Sequence, residues 1–220
     1  MSAIQKDFDR IALLSTGDSG TNTRYHKFLL RHIPLKCKAS LDIGCGTGSF
    51  SRLLAARSER VLAIDLSPNM ISVAKARSQK FENIEFQVAD VMKIDLPPDH
   101  FDTIVSIATL HHLPTREMLS AMKRALKADG TLIIQDLFQA EGVSDFISSA
   151  VAMPVSVGMR FIKSGRLREP REVREAWAEH GRTDTYLTMS QVRQICGDML
   201  PGAKVRKHLL WRYSLIWKKQ

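Results

Sequence analysis

The sequence predicts a doubly wound α/β domain. Three observations carry that prediction. From Ser40 onward, short β-rich runs alternate with helical stretches at regular spacing. The strand runs are nearly continuous apolar segments, as expected when helices cover both faces of a parallel sheet. A glycine-rich turn, Leu41-Asp-Ile-Gly-Cys-Gly-Thr-Gly-Ser-Phe50, joins the first strand to the first helix of the alternation.

Taken in order, Ser40–Ile43 reads as a strand, Ser49–Arg57 as a helix and Arg60–Ile64 as the second strand. Pro68–Lys80 is helical, with Ser67 as N-cap and Pro68 at the first helical position. Ile84–Val88 and Thr103–Ile107 follow as strands. Thr115–Lys127 reads as a helix and Thr131–Gln135 as the fifth strand, with Asp129-Gly130 as the turn between them. A preface, residues 1–39, holds a small-residue stretch before an apparently helical Tyr25–His32. Residues 142–185 interrupt the alternation with a Met/Val-rich half and a charged half. The chain then closes with a helix, Ser190–Leu200, and a hairpin of Val205–His208 and Trp211–Trp217.

The chain has 220 residues, enough for one domain with a substantial core, and is 44% hydrophobic and 25% charged. No signal-peptide core opens it, and runs such as Val151–Met159 are too short to cross a bilayer. The three cysteines, Cys37, Cys45 and Cys196, share no metal-ligand spacing, and their odd number argues against a disulfide framework. A cytoplasmic protein without a metal is expected. The net charge of +9 is concentrated late: residues 1–159 hold 18 basic and 17 acidic side chains, whereas residues 204–220 hold 6 basic and none acidic. That region either attracts an anionic partner or guards an edge strand against pairing with another chain.

The chemistry gathers at strand ends. Gly44, Gly46 and Gly48 permit a tight turn and close backbone approach. The spacing is G-x-G-x-G, and Ser49 stands where the dinucleotide fingerprint requires glycine or alanine, which counts against a nicotinamide dehydrogenase. Asp65 closes the second strand, where a carboxylate can accept both ribose hydroxyls. Asp90-Val91 follows the third strand, suited to an adenine edge. Thr109-Leu-His-His-Leu-Pro114 follows the fourth. Ligands of open α/β sheets bind at this edge.

The ordered set D-x-G-C-G-T-G, I-D-x-S-x-x-M, A-D, F-D-x-I-x-S-x-x-x-L-H-H-L and L-K-x-D-G-T-L resembles the class I S-adenosylmethionine-dependent methyltransferases, closest to the small-molecule branch with the ubiquinone and menaquinone enzymes (methyltransferase type 11). The match covers about Ser40 to Gln135. It implies a Rossmann-like seven-stranded sheet, mostly parallel with the last strand antiparallel and with helices on both faces. It also implies one methyltransferase domain over 1–220: an N-terminal helical cover (1–39), a cofactor-binding core (40–137), a substrate-lid insertion (142–185), and a closing helix and hairpin (186–220). The implied cofactor is S-adenosylmethionine. Gly44, Cys45 and Gly46 would make backbone contact with its methionine part, Asp42 would hold its ammonium through water, and Gly48 would mainly permit close packing. Asp65 would bind the ribose, with Leu66 and Met70 against the adenine. Asp90 and Val91 would read the adenine edge, and Ile107 would offer a carbonyl.

The donor is an activated sulfonium, so positioning and desolvation dominate. An oxygen or nitrogen acceptor also needs a base, and His111 or His112 is the candidate. Phe146, Met153, Met159 and Phe161 are candidates for lining an apolar acceptor pocket. The expected acceptor is a small, partly apolar molecule. RNA or tRNA methylation is the second reading. Against it stand the lack of a recognisable RNA-binding module and of an Asn/Asp-Pro-Pro-aromatic motif at the fourth strand. A non-catalytic cofactor-binding scaffold is the third.

Overall fold

A computed structural model describes residues 3–14, 22–142, 154, 158, 170–182 and 184–220. The strands are β1 (Cys37–Ile43), β2 (Ser58–Asp65), β3 (Ile84–Val88), β4 (Phe101–Ile107), β5 (Leu126–Leu137), β6 (Lys204–His208) and β7 (Arg212–Lys218). The helices are α1 (Ala3–Leu14), α2 (His26–Leu30), α3 (Ser49–Ala55), α4 (Pro68–Arg77), α5 (Thr115–Ala125), α6 (Arg171–His180) and α7 (Met189–Met199). The strands form one seven-stranded sheet in the order β3-β2-β1-β4-β5-β7-β6. β1 through β5 pair in parallel, and β7 runs antiparallel to both β5 and β6. The fold is the doubly wound sheet that the sequence predicts, with its last strand reversed.

Side-chain alternation explains why helices cover both faces. Ile104, Leu132 and Ile134 join the large core beneath α5 and α7, which contribute Met118, Leu119, Met122, Val192 and Cys196. The intervening Val105 and Ile133 point the other way, into a second core with Leu29, Phe50 and Leu54 from α2 and α3. The caps hold as expected for α4, where the Ser67 hydroxyl accepts the Met70 N–H at 3.0 Å. At α7, Thr188 and Gln191 form a reciprocal capping box.

Several boundaries differ from the sequence reading. The helix expected over Thr115–Lys127 stops at Ala125, because Leu126 turns extended, pairs with Phe101 and is fully buried. Asp129-Gly130 is consequently inside β5, with Asp129 in the left-handed region at φ +63°. β1 and β2 both begin earlier than expected, since Cys37 pairs with Ser58. α3 ends at Ala55 rather than Arg57, and α4 at Arg77 rather than Lys80. The expected helix Tyr25–His32 is a 3-10 turn, Asn22–Tyr25, followed by α2.

The preface contributes more than a tether. In α1, Ile11 and Ala12 are buried with Met70 of α4 and Ala176 of α6. Asp9 accepts a hydrogen bond from Ser67 Oγ at 2.5 Å and one from the Asn69 N–H at 3.2 Å. The first helix therefore lies beside the strand ends that hold the sequence motifs. β6 is an edge strand carrying Lys204, Arg206 and Lys207, in keeping with the edge-guarding reading. No helix among the described residues is long and apolar enough to cross a membrane.

Leu132 is fully buried at the centre of the larger core. Leu132→Ala should cost about 2–5 kcal/mol, the usual range for a cavity of that size. Urea unfolding measures it, with a lower midpoint and an unchanged slope expected.

Candidate functional site

The glycine turn departs from a phosphate-binding loop in its hydrogen bonding. The N–H groups of Gly44 and Cys45 both donate to the Ile64 carbonyl, at 2.8 and 3.0 Å. Gly46 N–H donates to Asp65 Oδ2 at 2.8 Å, and Gly48 N–H donates to the Cys45 carbonyl at 2.9 Å. Four donors that would cradle a pyrophosphate are thus already committed. The turn instead offers the Gly44 carbonyl, which only the Thr109 hydroxyl, at 3.5 Å, approaches among the described residues. A loop of this kind suits a cationic or neutral ligand.

Two of its glycines are constrained differently. Gly44 sits at φ +71°, and a Cβ there would come within 2.0 Å of Thr109 Oγ1. Gly46 sits at φ +53° with nothing within 4 Å of such a Cβ, so the loop leaves space above it. At Gly48, φ +75°, the Phe86 ring would lie 3.0 Å from such a Cβ.

Three acidic groups stand on β1, at the end of β2 and after β3. Asp42, on β1, is 1% exposed and accepts a 2.6 Å hydrogen bond from Ser51 Oγ. Burial pushes its pKa up to about 7, against the Ser51 bond, with Asp65 adding repulsion. Asp65 closes β2 and braces the loop, with Oδ1 accepting Ser67 N–H at 2.9 Å and Oδ2 accepting Gly46 N–H. Its pKa is raised chiefly by burial, with these backbone bonds opposing. Asp90 caps the 3-10 turn Val91–Lys93 through Met92 N–H and meets Lys93 at 3.3 Å. Leu66 is half-buried, Met70 is buried against α1, and Val91 and Ile107 pack at the margins of the two cores.

The histidine pair lies beyond β4 on the 3-10 turn Leu110–His112. His111 Nδ1 is 2.6 Å from Asp136 Oδ1, and its backbone N–H donates to Asp136 Oδ2 at 2.8 Å. A carboxylate only accepts, so the ring carries its proton on Nδ1 and leaves the Nε2 lone pair free. His112 differs: its Nε2 is buried with no hydrogen-bond partner among the described residues. Burial, together with repulsion from His111, lowers its pKa to about 4 despite Asp184. Phe8 of α1 packs edge-on to His112, with ring centres 5.5 Å apart, and to His180 of α6 at 4.6 Å.

Sequence reasoning missed Asp136, Asp184, His180, Tyr186 and Phe8. Asp136 had a signal: like Asp65 it is a carboxylate near the end of a parallel strand. Asp184 had none, because only the return of the chain after α6 brings it to the histidines. Phe146, Met153, Met159 and Phe161 lie outside the described residues. Two hollows of about 290 and 280 Å³ border Cys196 and Lys204. They flank the starts of β5 and β6, away from these groups.

The sequence matches are methyltransferases, and the solved structures share the fold. Residues 41–134 match the family model described as a methyltransferase domain. An uncharacterized methyltransferase of Mycobacterium tuberculosis is 29% identical over 203 residues, covering 90% of this chain and 95% of the relative. A ubiquinone biosynthesis O-methyltransferase of Coxiella burnetii is 31% identical over 113 residues, half of this chain and 48% of that one. The crystal structure of the N-methyltransferase NodS from Bradyrhizobium japonicum, in complex with S-adenosyl-L-homocysteine, superposes with a TM-score of 0.68. It is 18% identical, with 99% of each chain covered.

Gly44→Ala should destabilise the chain by about 1–3 kcal/mol, combining left-handed strain with collision against Thr109. Gly46→Ala should cost only the strain, about 1–2 kcal/mol. Parallel urea titrations compare the two, and equal losses would remove the Thr109 contact from the explanation.

Proposed function

This chain is a class I S-adenosylmethionine-dependent methyltransferase, and we propose that it methylates a small, partly apolar molecule with His111 as the base. Membership of the family implies S-adenosylmethionine as the methyl donor. The residues fit that group. The loop over Gly46 is open, the carbonyl of Gly44 faces no strong donor, and Asp42 is a buried carboxylate whose one described hydrogen bond comes from Ser51. A ligand ammonium near Asp42 and Gly44 O would satisfy both. Asp65 would hold the ribose, Leu66 and Met70 would flank the adenine, and Asp90 with Val91 would meet its edge. Cys45 and Ile107 would complete the backbone lining. When bound, the cofactor supplies an electrophilic methyl group.

The observation that carries the acceptor reading is the His111–Asp136 pair. The imidazole side chain is 6% exposed, and Asp136 fixes its tautomer. Nε2 is then the atom that takes the proton from an acceptor hydroxyl or amine, and Asp136 stabilises the imidazolium that results. His112, with a pKa near 4, is too weak a base to share that task at neutral pH. The site is roofed by Phe8, His180 and Tyr186, which favours a small acceptor over a polynucleotide. Three of the six basic side chains of residues 204–220 point the same way. Lys204, Lys218 and Lys219 lie at the sheet edge opposite the strand ends, and Asp129 and Asp99 pair with the last two. The Coxiella relative, named for O-methylation in ubiquinone biosynthesis, supports the partly apolar class. In this reading residues 142–185 form a substrate lid whose described part brings His180 and Asp184 to the site.

Incubation with radiolabelled methyl donor and pools of small phenols, amines and thiols, against bulk tRNA, tests the acceptor class. Label in a small molecule and none in RNA is expected; a specific methylated nucleotide would overturn the assignment. His111→Ala should lower turnover of a hydroxyl acceptor by about 10²–10⁴-fold while leaving cofactor affinity intact. His112→Ala should do far less. Asp65→Ala should weaken cofactor binding by about 1.5–3 kcal/mol, a tenfold to hundredfold rise in dissociation constant read by calorimetry.

Asp42 adds a pH signature. The unfolded chain releases this proton near the ordinary carboxylate pKa of 3.8, the folded chain only near 7. In between, the folded state holds the extra proton, so this group's contribution to stability falls as pH rises through that window. A cation beside Asp42 favours the carboxylate. Cofactor affinity should therefore rise between about pH 5.5 and 7.5, and Asp42→Asn should flatten that rise.

A further inference from the structure

His111, His112 and Asp184 each direct a ligand atom into one small space. His111 Nε2 is 3.9 Å from Asp184 Oδ2, and His112 Nδ1 is 3.5 Å from Asp184 Oδ1. One donor atom from each of the three residues lies within 4.8 Å of the others. All three side chains are more than nine-tenths buried. On the other side of the carboxylate, His180 Nε2 stands 3.7 Å from Asp184 Oδ2. These separations are too long for good hydrogen bonds, which cluster near 2.9 Å. They approach the spacing of ligands around an ion: donors about 2.1 Å from a tetrahedral centre stand about 3.4 Å apart.

The outer contacts have the form that metal ligands take. Asp136 holds His111 by Nδ1 and turns the Nε2 lone pair inward, as carboxylates do behind metal-bound histidines. The Tyr186 hydroxyl donates to Asp184 Oδ2 at 2.8 Å and orients that carboxylate. His112 presents Nδ1 to the same space, 3.5 Å from Asp184 Oδ1, while its other ring nitrogen, Nε2, is buried with no hydrogen-bond partner among the described residues.

We propose that His111, His112 and Asp184 bind one divalent first-row transition ion of the zinc type, with the remaining coordination position open to water or an acceptor atom. Two imidazoles and one carboxylate select such an ion over magnesium or calcium, which prefer all-oxygen sites. The set also resembles in composition the three-ligand sites of zinc enzymes that leave a position for substrate. The site goes beyond the proposed methyl transfer and depends on none of its steps. The two do interact at one atom: Nε2 of His111 cannot hold an ion and an incoming proton together, so loading the site and proton abstraction by this ring exclude each other.

Cobalt titration of the chelator-treated full chain tests the site, with zinc competition and metal analysis giving stoichiometry. One ion per chain is expected, with the visible absorption of a low-coordinate cobalt site and a dissociation constant in the micromolar range or below. Asp184→Asn and His111→Ala should abolish the signal. Asp136→Asn keeps all three ligands and should weaken binding by about 10–100-fold. A variant with Cys37, Cys45 and Cys196 replaced by serine should bind as the parent does. Circular dichroism on each variant separates lost ligands from lost fold, and Asp184→Asn, which preserves side-chain volume, serves if His111→Ala unfolds. No saturable signal at about 1 mM ion, a millimolar affinity being negligible, would overturn the site. So would binding that survives Asp184→Asn but fails in the cysteine-free chain. Neither result bears on methyl transfer, which is measured separately with the labelled donor.

Discussion

The pairing of β1 between β2 and β4 is the constraint on which the site depends. Parallel strands end at one edge, so the residues after each of them are delivered to the same side of the sheet. The register places Ile43 beside Ile64 and Ser106, and the Ser106 hydroxyl donates to the Ile43 carbonyl at 3.1 Å. From that alignment the glycine turn, Asp65 and the β4 exit all face one volume. Asp65 then locks the turn by accepting the Gly46 N–H across strands. Losing this register by one residue would invert every side chain of β1 between the two cores.

Hydrogen-bond commitment inside the turn explains why its glycines serve an uncommon purpose. In a phosphate loop the backbone N–H groups remain available to an anion. Here the N–H groups of Gly44, Cys45, Gly46 and Gly48 are donated to Ile64, Asp65 and Cys45, and the Gly44 carbonyl meets only the Thr109 hydroxyl, at 3.5 Å, among the described residues. Asp42 adds a buried carboxylate behind the loop. The resulting potential favours a positively charged ligand, consistent with a zwitterionic sulfonium donor rather than a pyrophosphate.

Beyond β4 the chain concentrates ionisable groups that are expensive to bury. His111, His112, His180, Asp136 and Asp184 share one enclosed neighbourhood, with Phe8 and Tyr186 against the rings. Groups of this kind are kept in a fold only when paired or put to use. The Asp136 contact sets a tautomer, whereas the contacts between Asp184 and the three rings are looser, at 3.5–3.9 Å. Phe8 of α1 packs against His112 and against His180 of α6, while Asp136 comes from β5 of the central sheet.

The sequence by itself determined the alternation of strands and helices, the glycine turn, and the order of the carboxylates at strand ends. Those features are local: apolar periodicity, a proline after a capping serine, and glycine spacing act over a few residues. They suffice to read the seven strands, α3, α4, α5 and α7 to within a few residues at each end, and the places of Asp42, Asp65, Asp90, His111 and His112. Tertiary structure decided the rest. That Leu126 would leave a helix to join β5 depended on its partner Phe101, sequence-distant and supplied by packing. α1 packs its Ile11 and Ala12 against Met70 and Ala176, partners that only the fold brings to it. Asp184 sits 72 positions beyond His112, and Asp136 pairs with His111 across adjacent strand ends. A titratable group's role follows from the atoms that surround it in space, and no local pattern encodes which distant carboxylate will face which imidazole.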